Sequence, residues 1–125
     1  LLEKLSIFDE ELEMRNEVNS YYRKYLNSAQ HHPKGYQSAH ALFSIVLGSN
    51  NKRDNLIDRL SQKKIPSVIY YKFPIHLMKA FQYLGYQKES LPISENLSHS
   101  IISLPMHPYL SEDDIDFIVN TIQSK

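Results

Sequence analysis

The chain has 125 residues, with 14 basic and 14 acidic side chains that give a formal net charge of zero, and no cysteine. That length fits one domain or a piece of a larger one, and the charge balance excludes recruitment of nucleic acid or an anionic membrane by bulk charge. Without cysteine there is neither a disulfide scaffold nor a thiolate zinc site, and a cytoplasmic setting is expected. The longest nearly apolar run, Ala41 to Leu47, is far short of the ~20 residues a membrane helix needs. No basic patch followed by an apolar block opens the chain, so no signal peptide is expected. The first residue is leucine and the sequence starts inside a helical pattern, from which a fragment of a longer chain is expected.

The first 28 residues read as helix. Leu1, Leu5, Phe8 and Leu12 form an apolar stripe that Val18, Tyr22, Tyr25 and Leu26 continue. Ser6 with Asp9 resembles a capping box, so a short first helix is expected to stop near Ser6 and a longer one to restart near Phe8. His31 to Gly35 breaks the pattern. Ala41 to Leu47 is expected as a strand, and Asp54 to Lys63 as a helix with Leu56, Ile57 and Leu60 inward. Ser67 to Tyr71 is expected as a second strand, ended by Pro74. Short helices follow at Leu77 to Leu84, stopped by Gly85, and from Pro92 to about Ser98. Ile101 to Leu104 is the third expected strand. Ser111 with Asp114 caps a last helix whose inner face carries Ile115, Ile118, Val119 and Ile122. The expected fold is therefore α+β, with a small three-stranded sheet, helices on one side and a long N-terminal helix.

The informative stretch runs from Ile65 to Gly85. In a strand, alternation places Tyr70 and Tyr71 on opposite faces. A proline-fixed turn carrying His76 follows, and loops after strands are where rigid scaffolds display functional side chains. Tyrosine offers a flat ring with a hydroxyl, and histidine offers a donor and an acceptor, so the set suits a polar, ring-containing ligand such as a sugar. The competing reading is structural: Tyr70 packs in the core and His76 caps the following helix.

The pattern Arg53-Asp-x-Leu56-x-x-x-Leu60, Ile65-Pro66, Tyr71-x-x-Pro74-x-His76, Leu91-Pro92 and Ser103-Leu-Pro-Met-His-Pro-Tyr-Leu110 resembles the carboxy-terminal part of the DegT/DnrJ/EryC1/StrS sugar aminotransferases. Leu1 to Leu5, Arg15 and Tyr22 to Leu26 resemble the helix that links the large and small domains of that family. The resemblance implies the small domain of a fold-type-I aminotransferase, divided into an inter-domain helical segment at 1–28 and a small α+β domain at 29–125. It implies pyridoxal 5′-phosphate as cofactor of the parent protein, with the Schiff-base lysine and the pyridinium-binding carboxylate outside this chain. The fragment alone is then expected to carry no catalytic residue, to bind no cofactor and to be inactive. Tyr71 and His76 match the aromatic and histidine of the family's Tyr-x-x-Pro-x-His turn, and Tyr70 the position before them, which makes these three the substrate-binding candidates. Lys72 stands where proline is frequent; it either contacts a phosphate or carboxylate or is solvated. Within the family the stretch from Ile65 to Leu110 is most similar to enzymes aminating a UDP-linked 3-keto sugar acid for surface polysaccharides. Glutamate as amino donor, an N-terminal large domain and a homodimer are the further partners implied.

The remaining histidines and acids read as structure. His31 and His32 have no third ligand spaced to complete a metal site, and His40 is expected to pack before the strand. His107 shapes a turn between prolines. Glu112, Asp113, Asp114 and Asp116 complement a helix dipole. A non-catalytic binding or scaffold domain is the alternative to the aminotransferase reading.

Overall fold

The computed structural model describes residues 2–29 and 31–124. Two helices open the chain, α1 (Leu2–Ser6) and α2 (Phe8–Arg23), so the break falls where the sequence placed it. The cap differs from expectation. Ser6 Oγ donates back to the Glu3 carbonyl at 2.7 Å, and Ile7 occupies the N-cap of α2 without a side-chain bond. The helix also stops at Arg23 rather than near residue 28. Lys24 and Tyr25 donate to the carbonyls of Tyr21 and Tyr22 at 3.1 Å, a tightened last turn that satisfies orphan carbonyls.

Strand β1 (Phe43–Val46) pairs antiparallel with β2 (Ile101–Leu104), with Phe43 opposite Leu104 and Ser44 opposite Ser103. Between them lie α3 (Asn50–Gln62), two 3₁₀ turns at Ile75–Leu77 and Lys79–Leu84, and α4 (Pro92–Ser100); α5 (Glu112–Gln123) closes the chain. Helix α3 starts four residues earlier than expected because Ser49 caps it, its hydroxyl accepting from Lys52 N–H at 3.3 Å. Gly85 stops the second 3₁₀ turn at φ +76°, a left-handed conformation that glycine adopts without strain. Ser111 and Asp114 form the expected capping box on α5.

The three-stranded sheet is corrected to two strands. Val68 exchanges both backbone bonds with Ser103, at 3.1 and 2.8 Å, and the pairing goes no further. Pro66 and Pro74 flank this segment, and prolines donate no ladder bond. From Tyr70 the backbone turns away from the sheet, so Ser67 to Tyr71 contributes a single bridge rather than a strand.

The sheet has two unlike faces, as a period of two requires. Phe43, Ile45, Ile102 and Leu104 point into the core with Val18 and Tyr22 of α2, Leu56 and Leu60 of α3, and Ile115, Ile118 and Val119 of α5. Tyr22 is fully buried, its ring stacked on Phe43 at 4.6 Å and its hydroxyl donating to the Pro105 carbonyl at 3.1 Å. On the opposite face Ser44 and Ser103 share a hydrogen bond at 2.8 Å. That face is the floor of a cleft.

Candidate functional site: an apolar cleft beside the tyrosine turn

The cleft encloses about 650 Å³. Ser44, Ile101 and Ser103 of the sheet, with Leu42 just before β1, form its floor, Tyr70, Tyr71 and Pro74 one wall, and Leu91 to Ser94 with Leu97 and Ser98 the other. The volume lies within the range of small-molecule sites, and the mix of apolar surface with a few hydroxyls is the usual composition of one.

Tyr70 and Tyr71 both reach this cleft, 52% and 68% exposed. The expectation of opposite faces fails because the pair sits in a turn, where strand alternation no longer applies. Neither phenol hydrogen-bonds to a described residue. Tyr70 is thus displayed rather than packed in the core, and Lys72 lies exposed outside the lining.

His76 lies behind the wall. It is 7% exposed and outside the lining. Its Nε2 lies 3.0 Å from Glu95 Oε1, and its ring meets Tyr86 edge-on at 5.9 Å between centroids. Glu95, in the first turn of α4, accepts from Glu89 N–H at 2.9 Å and from Leu91 N–H at 3.3 Å. Glu89 N–H first, then His76 and Leu91 N–H, hold its carboxyl below the ordinary glutamate range. This histidine–carboxylate pair is closed in on itself, so its arrangement organises backbone rather than presenting a base to a ligand.

The structure therefore brings Tyr70 and Tyr71 together at the cleft and places His76 one layer out. Sequence reasoning missed Glu95 and the serines at 44, 94, 98 and 103. The signal for Glu95 was present: an acid in the first turn of a helix that starts with proline. The serine floor carried a weaker one, a hydroxyl between apolar residues in each of two strands.

The remaining candidates have structural places. His40 is buried and meets His32 edge-on at 5.5 Å. Burial first, then the nearby His32 and Arg23, lower its pKa. His107 Nδ1 accepts from Tyr109 N–H at 3.2 Å, closing the turn between prolines. Asp116 accepts from Tyr21 Oη at 3.1 Å. Among the described residues, no group of three or more histidines and acids is placed to hold a metal ion, and no helix is long and apolar enough to cross a membrane.

The cleft does not fit pyridoxal 5′-phosphate. Its lining offers no lysine for a Schiff base, no carboxylate for a pyridinium nitrogen and no cation for a phosphate.

Residues 1–123 match the family model described as the DegT/DnrJ/EryC1/StrS aminotransferase family. A dTDP-3-amino-3,6-dideoxy-alpha-D-galactopyranose transaminase of Aneurinibacillus thermoaerophilus is 28% identical over 120 residues, covering 95% of this chain and 32% of that protein. The UDP-2-acetamido-2-deoxy-3-oxo-D-glucuronate aminotransferase of Pseudomonas aeruginosa is 27% identical over 122 residues, covering 94% and 32%. Among solved structures, a DegT DnrJ EryC1 StrS aminotransferase from Brucella abortus superposes with a TM-score of 0.82 at 41% identity, covering 98% of this chain and 33% of that one. The chain thus spans about a third of the length of the relatives it matches. With a match along nearly its whole length and a shared fold, the chain belongs to the DegT/DnrJ/EryC1/StrS aminotransferase family.

Proposed function

We propose that this chain is the substrate-positioning domain, at the carboxy-terminal end, of a pyridoxal-phosphate-dependent sugar aminotransferase acting in the cytoplasm. In this reading the parent protein transfers an amino group, with glutamate as donor, to a UDP-linked keto sugar destined for a surface polysaccharide. Residues 1–28 are its inter-domain helical segment and 29–125 its small domain. The cofactor and the Schiff-base lysine belong to residues this chain does not supply, the fragment alone is inactive, and the working enzyme is a homodimer. The names of the relatives support amination of a nucleotide-linked sugar, and that of the Pseudomonas aeruginosa relative supports the UDP-linked branch.

The observation that carries the reading is the open cleft with two adjacent tyrosines on one wall and a serine floor. Flat rings stack on a sugar or base while hydroxyls bond its polar rim. Enclosing the substrate there orients it and excludes bulk water. Tyr70 and Tyr71 contact the ligand, and His76 positions the turn that presents them.

In the full-length protein, Tyr71→Phe removes the hydroxyl and Tyr71→Ala the ring. Both are expected to weaken binding of UDP-N-acetylglucosamine in titration calorimetry and to lower turnover of the keto sugar, with Tyr71→Ala the worse. The visible absorbance of the cofactor is expected to stay unchanged. Loss of that absorbance contradicts the assigned role, and unchanged binding in both variants refutes the cleft.

A further inference from the structure

Glu95 does not itself line the cleft, yet its carboxylate bonds to the segments behind both walls. Its carboxylate accepts from His76 Nε2 in the turn that follows Tyr70 and Tyr71. It also accepts from the backbone N–H groups of Glu89 and Leu91, which lead into the opposite wall. These are charge-assisted bonds in a half-dry setting, stronger than neutral ones. Glu89 is held at φ +72°, a left-handed conformation that a non-glycine residue reaches at a cost. The bond from its N–H to Glu95 supports that conformation, beside the two bonds that Gln87 and Ser90 exchange across the turn. The far end of α4 is tied down separately: Arg53, 4% exposed, donates to the Ser98 carbonyl at 2.9 Å and pairs with Asp54. Helix α4 is thus anchored near its far end by Arg53 and clasped at its start by Glu95. Among the described residues, one side-chain hydrogen bond joins the Tyr70 to His76 turn to α4, that of His76 with Glu95.

We propose that Glu95 is a positioning residue that acts through His76 to set the width of the cleft between the tyrosine wall and α4, and so the affinity for the nucleotide sugar. The inference rests on the cleft being the substrate site. A residue that merely capped α4 would act through the Glu89 and Leu91 bonds and would be indifferent to His76, which gives the two roles different signatures.

The experiment uses the full-length protein and measures the dissociation constant of UDP-N-acetylglucosamine by calorimetry. The variants are Glu95→Ala, His76→Ala, both together, His76→Gln and Tyr71→Ala, with cofactor absorbance and circular dichroism as checks on the fold. Loss of preorganisation in Glu95→Ala or His76→Ala is expected to weaken binding about fivefold to tenfold. The double variant is expected to be no weaker than the worse single one, because the two residues form one contact. His76→Gln, whose amide nitrogen reaches as far as Nε2, is expected to recover to within about twofold of the wild type, since its N–H again donates to Glu95. Additive effects in the double variant, or wild-type affinity in Glu95→Ala alongside weakened Tyr71→Ala, overturn the clasp and leave the cleft standing. Wild-type affinity in Tyr71→Ala overturns the cleft reading itself, and the clasp's role in affinity with it. Should Glu95→Ala fail to fold, the His76 pair decides: weak Ala with restored Gln supports the clasp, and equal affinities overturn it.

Discussion

Ser44 and Ser103 face each other across the two-stranded sheet with their hydroxyl oxygens 2.8 Å apart, both residues buried. Their neighbours along each strand, Phe43 and Ile45, Ile102 and Leu104, all belong to the apolar core on the other face. The pair therefore marks the face turned away from the α2, α3 and α5 core, beneath the cleft that α4 walls, and a mutual bond makes it tolerable for two hydroxyls to be buried there. Replacing one partner strands the other. Ser103→Ala is expected to destabilise by about 1 kcal/mol, whereas the double change to alanine is expected to be close to neutral, since no buried hydroxyl is then left unpaired. Urea denaturation of the three variants checks the asymmetry, and equal losses for the single and double changes contradict it.

Tyr22 joins α2 to the rest of the core twice, by its ring on Phe43 and by its hydroxyl on the Pro105 carbonyl. The two contributions separate by substitution. Tyr22→Phe removes only the hydroxyl and is expected to cost about 1 kcal/mol. Tyr22→Ala opens a cavity in a fully buried site and is expected to cost about 3–5 kcal/mol. A similar loss for both, read from denaturation midpoints at constant slope, shows that the ring is not the main tie.

The capping box on α5 is reciprocal. The Ser111 hydroxyl accepts from Asp114 N–H at 3.2 Å, and Asp114 accepts from Ser111 N–H at 3.1 Å. Helix α5 carries Ile115, Ile118 and Val119 into the core, so its first turn bears on the whole fold. Ser111→Ala is expected to lower stability by about 1 kcal/mol, and Ser111→Thr by much less, because threonine keeps the hydroxyl that caps the helix and donates to Asp114. Thermal denaturation of the two variants is the check.

Acid is expected to destabilise the protein in two stages. His40 has a folded pKa below its ordinary 6.5 because burial disfavours its charge. Its contribution is complete above 6.5 and is lost as pH falls through the lower folded value. Glu95 and Asp114 are likewise held down, the first by the N–H of Glu89 and the second by the hydroxyl of Ser111. Their contributions are complete above the ordinary carboxylate values of 4.5 and 3.8 and are lost as pH falls through the lower folded ones. The denaturation midpoint is therefore expected to begin falling below 6.5 and to fall more steeply below 4.5. His40→Asn removes the first stage and Glu95→Gln weakens the second. A midpoint that stays level down to pH 4 refutes both assignments.

The break between α1 and α2, the cap of α5 and the core faces were legible because each is written in a few neighbouring residues, whereas the end of α2 and the start of α3 at Ser49 were not. Ser111 with Asp114 announced a capping box, and Ile115, Ile118 and Val119 announced the buried stripe behind it. The family was legible from motifs kept in order along the chain, and the match over residues 1–123 agrees. Local pattern misled at Ser6, where the hydroxyl turned back to Glu3 instead of forward to α2. It misled again at Ser67 to Tyr71, where β-rich residues made one bridge instead of a strand. A strand is a relation between two segments, and the flanking prolines left room for one exchange of bonds.

The sequence by itself determined which residue types are available for chemistry: adjacent tyrosines, a proline-fixed turn with histidine, and neither a cysteine nor a net charge. Only the tertiary structure decided which of them meet. It turned both tyrosines to one cleft, set two serines from distant strands beneath them, and took His76 out of the cleft to bind Glu95, 19 residues further along the chain. The physical reason is one of range. Helix faces and caps depend on neighbours within one or two turns, whereas a cleft depends on which distant segments the burial of the apolar face brings together.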